Sequence, residues 1–285
     1  MQQLPICVYH KDCTDGTTAA AVFLRKYPGA RTFALQHDFT DADMDVILEA
    51  ARDAEHVFMI DIAIGYRDIL NAGFPLTVLD HHIHIRDELE MAAPQDDKLT
   101  VVFDNELSGA SLAWKYFFPE EEVPTFIEYI EDVDLWRLRH GDDTLAVQAF
   151  ASMRFNDPDS MQELLEAPIE QLLEEGHHLL DYIHSVQKLL LSKIEPITLR
   201  IGEHAVPGYN IIVYQSSLGH QLAEEQGKAV ALYTVEGKTV RFSFRSEEGQ
   251  NPTALELATI LGGGGHDGIS GAEIPLEHFL SLIEH

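Results

Sequence analysis

Leu76-Thr77-Val78-Leu79-Asp80-His81-His82 joins a short apolar and β-branched run to one acid and two imidazoles, and its reading decides the fold. A run with so little polar alternation suits a strand buried on both faces, as in a parallel sheet. The same grammar recurs upstream. His56–Ile60 runs straight into Asp61, and Leu4–Tyr9 runs into His10. Thr32–Leu35 and Thr100–Phe103 complete five candidate strands, with amphipathic stretches at Thr17–Lys26, Asp41–Ala51 and Ser108–Phe118 between or after them. Strands alternating with helices predict βαβ units and a parallel sheet flanked by helices.

Further along, Met161–Ser192 has apolar residues at helical spacing with acids opposite, and reads as a long connecting helix or helix pair. From about Ile197 the pattern changes. Strands are predicted at Thr198–Ile201, Tyr209–Tyr214, Ala229–Thr234 and Thr239–Arg245, and helices at Leu218–Glu225 and Pro252–Leu261. Glu236-Gly237 is a hairpin signal between two of those strands. The expected class is therefore α/β. Residues 1–185 are expected to form a first domain, 186–196 a connecting helix or linker, and 197–285 a smaller α/β domain.

The chain has 285 residues, 45% hydrophobic and 24% charged, enough for a packed core. It has no run of about eighteen apolar residues, so no membrane helix is expected. Met1–Tyr9 has no basic flank and reads as a first strand, not a secretory leader. The two cysteines, Cys7 and Cys13, are too few and too close for a disulfide framework, which fits the cytoplasm. Lys+Arg number 19 against Asp+Glu 48, a net charge of -29. Such a surface repels long polyanions, so no long duplex DNA is expected as a partner, nor a membrane, and an anionic substrate should be short. A compartment that favours acidic surfaces would explain the excess equally well.

Four clusters are read as standing at or just beyond the C-terminal ends of predicted strands: His10-Lys11-Asp12-Cys13-Thr14-Asp15-Gly16, Asp61, Asp80-His81-His82, and Asp132-Val133-Asp134. Open α/β sheets present their ligands at the C-terminal ends of strands. Singly, each cluster has a plain explanation: Asp15 would cap a helix and the histidine pair would form a turn. Gathered at one rim, the carboxylates would repel one another unless cations lay among them. Aspartate oxygens with one or two imidazoles suit Mn²⁺, while zinc accepts the same ligands. Two such cations imply hydrolysis at phosphorus.

Near the end, Gly262-Gly263-Gly264-Gly265-His266 offers backbone N–H groups that would cradle an anion, or else forms a flexible turn. It is not a nucleoside-triphosphate loop, since no Lys-Ser/Thr follows. Arg241 and Arg245, four residues apart on one predicted strand, share a face and read either as an anion clamp or as a plain surface pair.

Taken in this order, His10…Asp15-Gly16, Asp61, Asp80-His81-His82 and Asp132, with the distal Gly-Gly-Gly-Gly-His, resemble the DHH phosphoesterase superfamily of the two-domain type with a C-terminal DHH-associated domain. That resemblance implies a catalytic N-terminal domain and a second domain that binds substrate across a cleft. It implies that His10, Asp15, Asp61, His81 and Asp132 hold two Mn²⁺ ions, with Mg²⁺, Co²⁺ or Zn²⁺ as alternatives and Asp61 bridging. Asp80 would orient the histidines, His82 would face the substrate phosphate, and Arg245, Ser246, Gly264, Gly265 and His266 would contact substrate. The first motif departs from the family pattern, because Cys13 stands where an aspartate is usual. Asp12 would then take the ligand role, or Cys13 would, or a carboxylate is lost. Asp134 competes with Asp132, which is preferred.

The expected activity is hydrolysis of short single-stranded oligonucleotides to mononucleotides, by a monomer or homodimer. Phe39 or Trp136 would stack a base or, more simply, belong to the core. Alternatives are a phosphatase acting on nucleoside bisphosphates or polyphosphate, a cyclic-dinucleotide phosphodiesterase, or a non-enzymatic metal- or nucleotide-binding regulatory protein.

Overall fold

A computed structural model describes residues 3–284. Met1 and Gln2, at the head of the stretch read as the first strand, and His285 lie outside the described residues. The chain divides into two compact units between Tyr182 and Ile183, ahead of the linker expected at 186–196.

The first unit begins β1 (Ile6–His10), α1 (Thr14–Lys26), β2 (Arg31–Leu35), α2 (Asp41–Ala51), β3 (Val57–Ile60) and α3 (Tyr66–Asn71). It continues β4 (Leu76–Asp80), α4 (Ile83–Ala92), β5 (Leu99–Phe103), α5 (Gly109–Phe117), α6 (Thr125–Asp134), α7 (Asp142–Ala151) and α8 (Pro158–Leu165). The division falls within the next helix, α9 (Ile169–Leu191). All five strands pair in parallel, in the order β2-β1-β3-β4-β5. Both faces of the sheet are covered. Cys7, Tyr9, Phe58, Ile60 and Leu79 pack against α1, α5 and α6, while Ile6, Val8, Val57, Met59 and Val78 pack against α2 and α3. This odd–even split is the strand period, and it explains why the apolar runs carry no polar alternation.

The stretch 161–192 resolves into α8 and α9 with a break at Glu166–Pro168. Pro168 has no amide hydrogen to continue α8, and it stands immediately before α9.

The second unit contains β6 (Ile197–Ile201), β7 (His204–Asn210), α10 (Gln215–Gln226), β8 (Val230–Glu236), β9 (Thr239–Arg245), α11 (Ala254–Ile260), β10 (Gly264–Gly265), β11 (Ile269–Pro275) and α12 (Leu276–Leu282). Its sheet runs β10-β11-β9-β8-β7-β6, antiparallel except for β7 with β8. The strand predicted at Tyr209–Tyr214 lies earlier in the chain. Its hairpin with β6 pairs Ile201 with His204, so the strand is already spent at Asn210. Tyr214 instead takes a left-handed backbone (φ 58°) as the residue capping α10. Among the described residues, no helix is long and apolar enough to cross a membrane.

Candidate metal centre

β1, β3 and β4 are neighbours in the middle of the first sheet, with Tyr9 opposite Ile60 and Ile60 opposite Leu79. The next residue on each strand therefore falls in one row, so His10, Asp61 and Asp80 stand side by side at the C-terminal rim. Asp61 leaves β3 with a left-handed backbone (φ 62°), anchored by its own N–H donating to Leu79 O at 2.9 Å. Aspartate tolerates that conformation better than most side chains. The turn leaves its carboxylate 1% exposed between two imidazoles: Oδ1 is 3.0 Å from His81 Nε2 and Oδ2 is 3.5 Å from His10 Nδ1. Oδ2 has no hydrogen-bond partner.

Asp15 comes from the first turn of α1 and is fully buried. It does cap a helix, but not its own. Its Oδ2 accepts from Gly109 N at 2.6 Å and its Oδ1 from Ala110 N at 3.0 Å, at the start of α5, where unpaired amides attract an anion. This approach requires glycine at 109, where a Cβ would sit 2.5 Å from Asp61 Cβ and 2.9 Å from Asp15 Oδ2. Gly16 lets α1 cross β1, since a Cβ there would lie 2.4 Å from His10 O. Gly109 was missed in the sequence, although Ser108-Gly109 before an apolar helix is a legible start signal.

Two groups of donor atoms converge within 4.8 Å of one another: His10, Asp61 and His82; and Asp15, His81 and Asp134. Asp61 belongs to the first and touches His81 of the second. His82, expected at the substrate phosphate, thus stands among the donors. Asp80 accepts from His81 N (2.7 Å) and His82 N (3.0 Å), and lies 2.8 Å from His82 Nδ1, which fixes the His82 ring and the backbone of both histidines.

Two expected ligands are not brought to this cluster. The Asp132–Asp134 cluster lies at the end of α6 and not at a strand end, and it is Asp134 that joins the donor group, its Oδ2 3.6 Å from His81 Nε2. Two residues on an α-helix differ by about 200°, so α6 presents only one of the pair to the rim. Asp132 accepts instead from Thr144 Oγ1 at 2.6 Å. Asp12 also has a left-handed backbone (φ 56°), and its carboxylate is held by Gln36 Nε2 and Asn156 Nδ2. Cys13 precedes α1 and lies outside both donor groups. Burial, and next the charges of Asp61, Asp15 and Asp134, push its thiol well above the usual range.

The electrostatics show what the cluster lacks. Burial, then the Asp61 charge, raises Asp15 to about 6, and burial with the charges of Asp15 and Asp61 raises Asp134 well above its usual value. Burial opposes charge on His81, but its bond to Asp61 and the charges of Asp15, Asp61 and Asp134 lift it to about 10. Asp61 is likewise opposed by burial, yet His10, His81 and His82 hold it below the carboxylate range. A proton on His81 thus stands in for missing positive charge. Oxygen and imidazole donors, an unpartnered buried carboxylate oxygen and surplus negative charge together fit divalent cations.

In the second unit Arg245 is only 6% exposed. It donates to Ser243 Oγ (2.7 Å), Phe244 O (2.9 Å) and Ser216 Oγ (3.1 Å), with no ion pair among the described residues. Burial lowers its pKa. A buried, uncompensated guanidinium invites an anion. Arg241 is not part of a clamp, because it is exposed and Glu236 and Glu273 flank it. The Ser246 hydroxyl is already used: it donates to Asp267 O and accepts from Ala254 N. Gly264 and Gly265 form an edge strand against Gly271 and Ser270, and His266 closes the turn with N donating to Ile269 O at 2.7 Å. Phe39 packs with the core, whereas Trp136 is 43% exposed on a left-handed backbone.

No family model matches the chain. An uncharacterized protein of Acanthamoeba polyphaga mimivirus is 27% identical over 296 residues, covering 94% of this chain and 67% of the relative. RecJ from Thermus thermophilus in complex with Mn²⁺ is similar in structure, with a TM-score of 0.58 at 15% identity over 98% of this chain, which spans 50% of that one. An exonuclease RecJ bound to manganese gives a TM-score of 0.54 at 15% identity, over 98% of this chain and 88% of that one. PggH of Vibrio cholerae, a pGpG-specific phosphodiesterase, gives 0.53 at 14% identity, over 96% and 94%. These likenesses show a shared fold, and at that level they bear out the resemblance to the DHH phosphoesterases.

Proposed function

We propose that the chain is a divalent-metal-dependent phosphodiesterase that degrades short single-stranded oligonucleotides to mononucleotides. The observation that carries this reading is Asp61, a buried carboxylate whose two oxygens face His81 and His10, members of two separate donor groups. On this reading His10, Asp61 and His82 hold one cation, and Asp15, His81 and Asp134 the other. Bound divalent ions would polarise a phosphoryl oxygen and make a water acidic enough to attack phosphorus. The chain's own residues supply the placement. Asp80 orients both histidines, the α5 amides fix Asp15, and the Leu79 carbonyl pins the Asp61 backbone.

The similarity to RecJ structures holding Mn²⁺ and Mg²⁺ supports Mn²⁺ or Mg²⁺ as the ion. PggH, named for a linear dinucleotide and matched over nearly its full length, supports the short end of the substrate range. The net charge of -29 points the same way. Arg245 would receive a substrate phosphate in the second unit.

The test is purified protein with Mn²⁺, offered RNAs and DNAs of about two to twenty nucleotides beside polyphosphate, a nucleoside bisphosphate and a cyclic dinucleotide. Release of mononucleotides, fastest from the shortest linear chains, is expected. Turnover confined to bisphosphate or polyphosphate would replace this reading with a phosphatase. Metal binding without any turnover would make the chain a binding protein.

A further inference from the structure

Beside the metal centre the first unit holds a cavity of about 230 Å³, bounded among others by His37, Ala63, Ile64, His82, His84 and Glu88. Its imidazoles form a connected series: ring centroids lie 5.6 Å apart for His82 and His84, 6.1 Å for His37 and His84, and 6.3 Å for His37 and His82. His37 also meets His10 at 5.0 Å. His37 and His84 belong to neither donor group. Both are exposed, while Ile62 and Ala63 of the lining are buried.

The chemistry of the lining selects its occupant. It includes the carboxylates of Asp80 and Glu88 and no lysine or arginine, so a phosphate is repelled. Glu88 has its charge matched outside the cavity by Arg67 at 2.8 Å. A cation would need converging donors, and His37 and His84 offer none with their neighbours. What remains is an uncharged, flat molecule with polar edges, for which imidazole faces and isoleucine walls are both suitable. At about 230 Å³ the space falls below the roughly 300–1,000 Å³ that encloses a whole drug-sized ligand. A single heterocycle is the matching size.

We propose that this cavity seats one nucleobase of the substrate against the rings of His37, His82 and His84, while that nucleotide's phosphate faces the metal centre across His82. The inference rests on the phosphodiesterase reading, and it makes base recognition a property of the first unit.

Two measurements test it. In the first, metal-free protein with ¹³C-labelled histidine is titrated with adenosine, guanosine, cytidine and uridine, none of which carries a phosphate. At least one should shift the His37 and His84 ring signals, assigned with His37→Ala and His84→Ala; no shift with any of the four overturns the proposal. In the second, the Mn²⁺-loaded enzyme is given a dinucleotide and the same compound with either base replaced by hydrogen. Loss of one particular base should raise KM about tenfold, as expected for one stacked base. In the double variant His37→Ala with His84→Ala, that difference should vanish. Equal KM values for intact and abasic substrates would refute the pocket while leaving the phosphodiesterase standing. Absence of hydrolysis of every dinucleotide would instead count against the enzyme reading, and the nucleoside titration would still decide the pocket.

Discussion

Asp12 and Asn156 lie 144 positions apart, both on left-handed backbones, and bind each other twice. Asp12 N donates to Asn156 Oδ1 at 2.9 Å, and Asn156 Nδ2 donates to Asp12 Oδ1 at 2.5 Å. Asn156 N also donates to Thr17 Oγ1 on α1. The pair ties the turn between β1 and α1 to the segment before α8, and so fixes where α1 delivers Asp15. We expect Asp12→Ala and Asn156→Ala each to destabilise the protein by about 1 kcal/mol, with clear non-additivity in a double-mutant cycle followed by urea unfolding. Manganese stoichiometry, measured by titration calorimetry, should be unchanged in Asp12→Ala. A lost equivalent of metal would return Asp12 to the ligand set.

Asp134 and Asp132 should separate cleanly. Asp134→Ala removes a donor beside His81, and should weaken metal binding at least tenfold while leaving the thermal midpoint of the metal-free protein unchanged or raised, since a buried negative charge is relieved. Asp132→Ala strands the buried Thr144 hydroxyl, and should cost about 1–3 kcal/mol while retaining the metal. The reverse outcome would restore the preference for Asp132.

Gly109→Ala tests the packing behind the site. Its methyl would intrude on Asp61 Cβ and Asp15 Oδ2, neither of which moves freely. We expect a loss of about 1–3 kcal/mol, typical of overpacking, together with loss of bound Mn²⁺ detectable by electron paramagnetic resonance. Gly109→Ala with full metal content would show that the rim is softer than its geometry indicates.

The cluster also sets a pH dependence. His81 must be neutral to bind a cation, yet its pKa is raised to about 10, so at pH 7 metal binding displaces a proton. Asp15, raised to about 6, begins to take up a proton as the pH falls towards that value. Metal affinity should therefore rise with pH and fall steeply below about pH 6. Calorimetry in buffers of different ionisation enthalpy should record proton release at pH 7. In metal-free protein the sign is opposite for His81: its stabilising contribution is complete below its unfolded value near 6.5 and is lost as the pH rises through about 10. Affinity independent of pH between 6 and 8 would contradict this account of His81.

The three central parallel strands were legible because each is a buried run leading to a chemically distinctive residue, His10, Asp61 or Asp80, and the sheet's order then places those endings together. The pairing of Asp12 with Asn156 was not legible, since nothing in Asp12-Cys13-Thr14 announces a positive φ or a partner beyond residue 150. Choosing between Asp132 and Asp134 required the rotational phase of α6, which Thr125–Asp134 does not reveal until its packing against α5 and α7 is known. Asp15 showed a different limit. Helix capping and metal ligation appeared as alternatives, whereas the carboxylate caps α5 and faces the cluster at once. The register error at Tyr209–Tyr214 has the same origin as the others, in a tertiary pairing that overrode local pattern.

The row formed by His10, Asp61 and Asp80 has a further consequence during synthesis. Its members are recruited from strands that are neighbours in space but not all in sequence, and Asp134 arrives only with α6. A growing chain that has emerged only as far as β5 can already align the imidazoles and Asp61, but it lacks the α5 amides that hold Asp15 and the last carboxylate. Ion capture would therefore mark a late event in biogenesis, after α6 has followed β5 and α5 out of the ribosome.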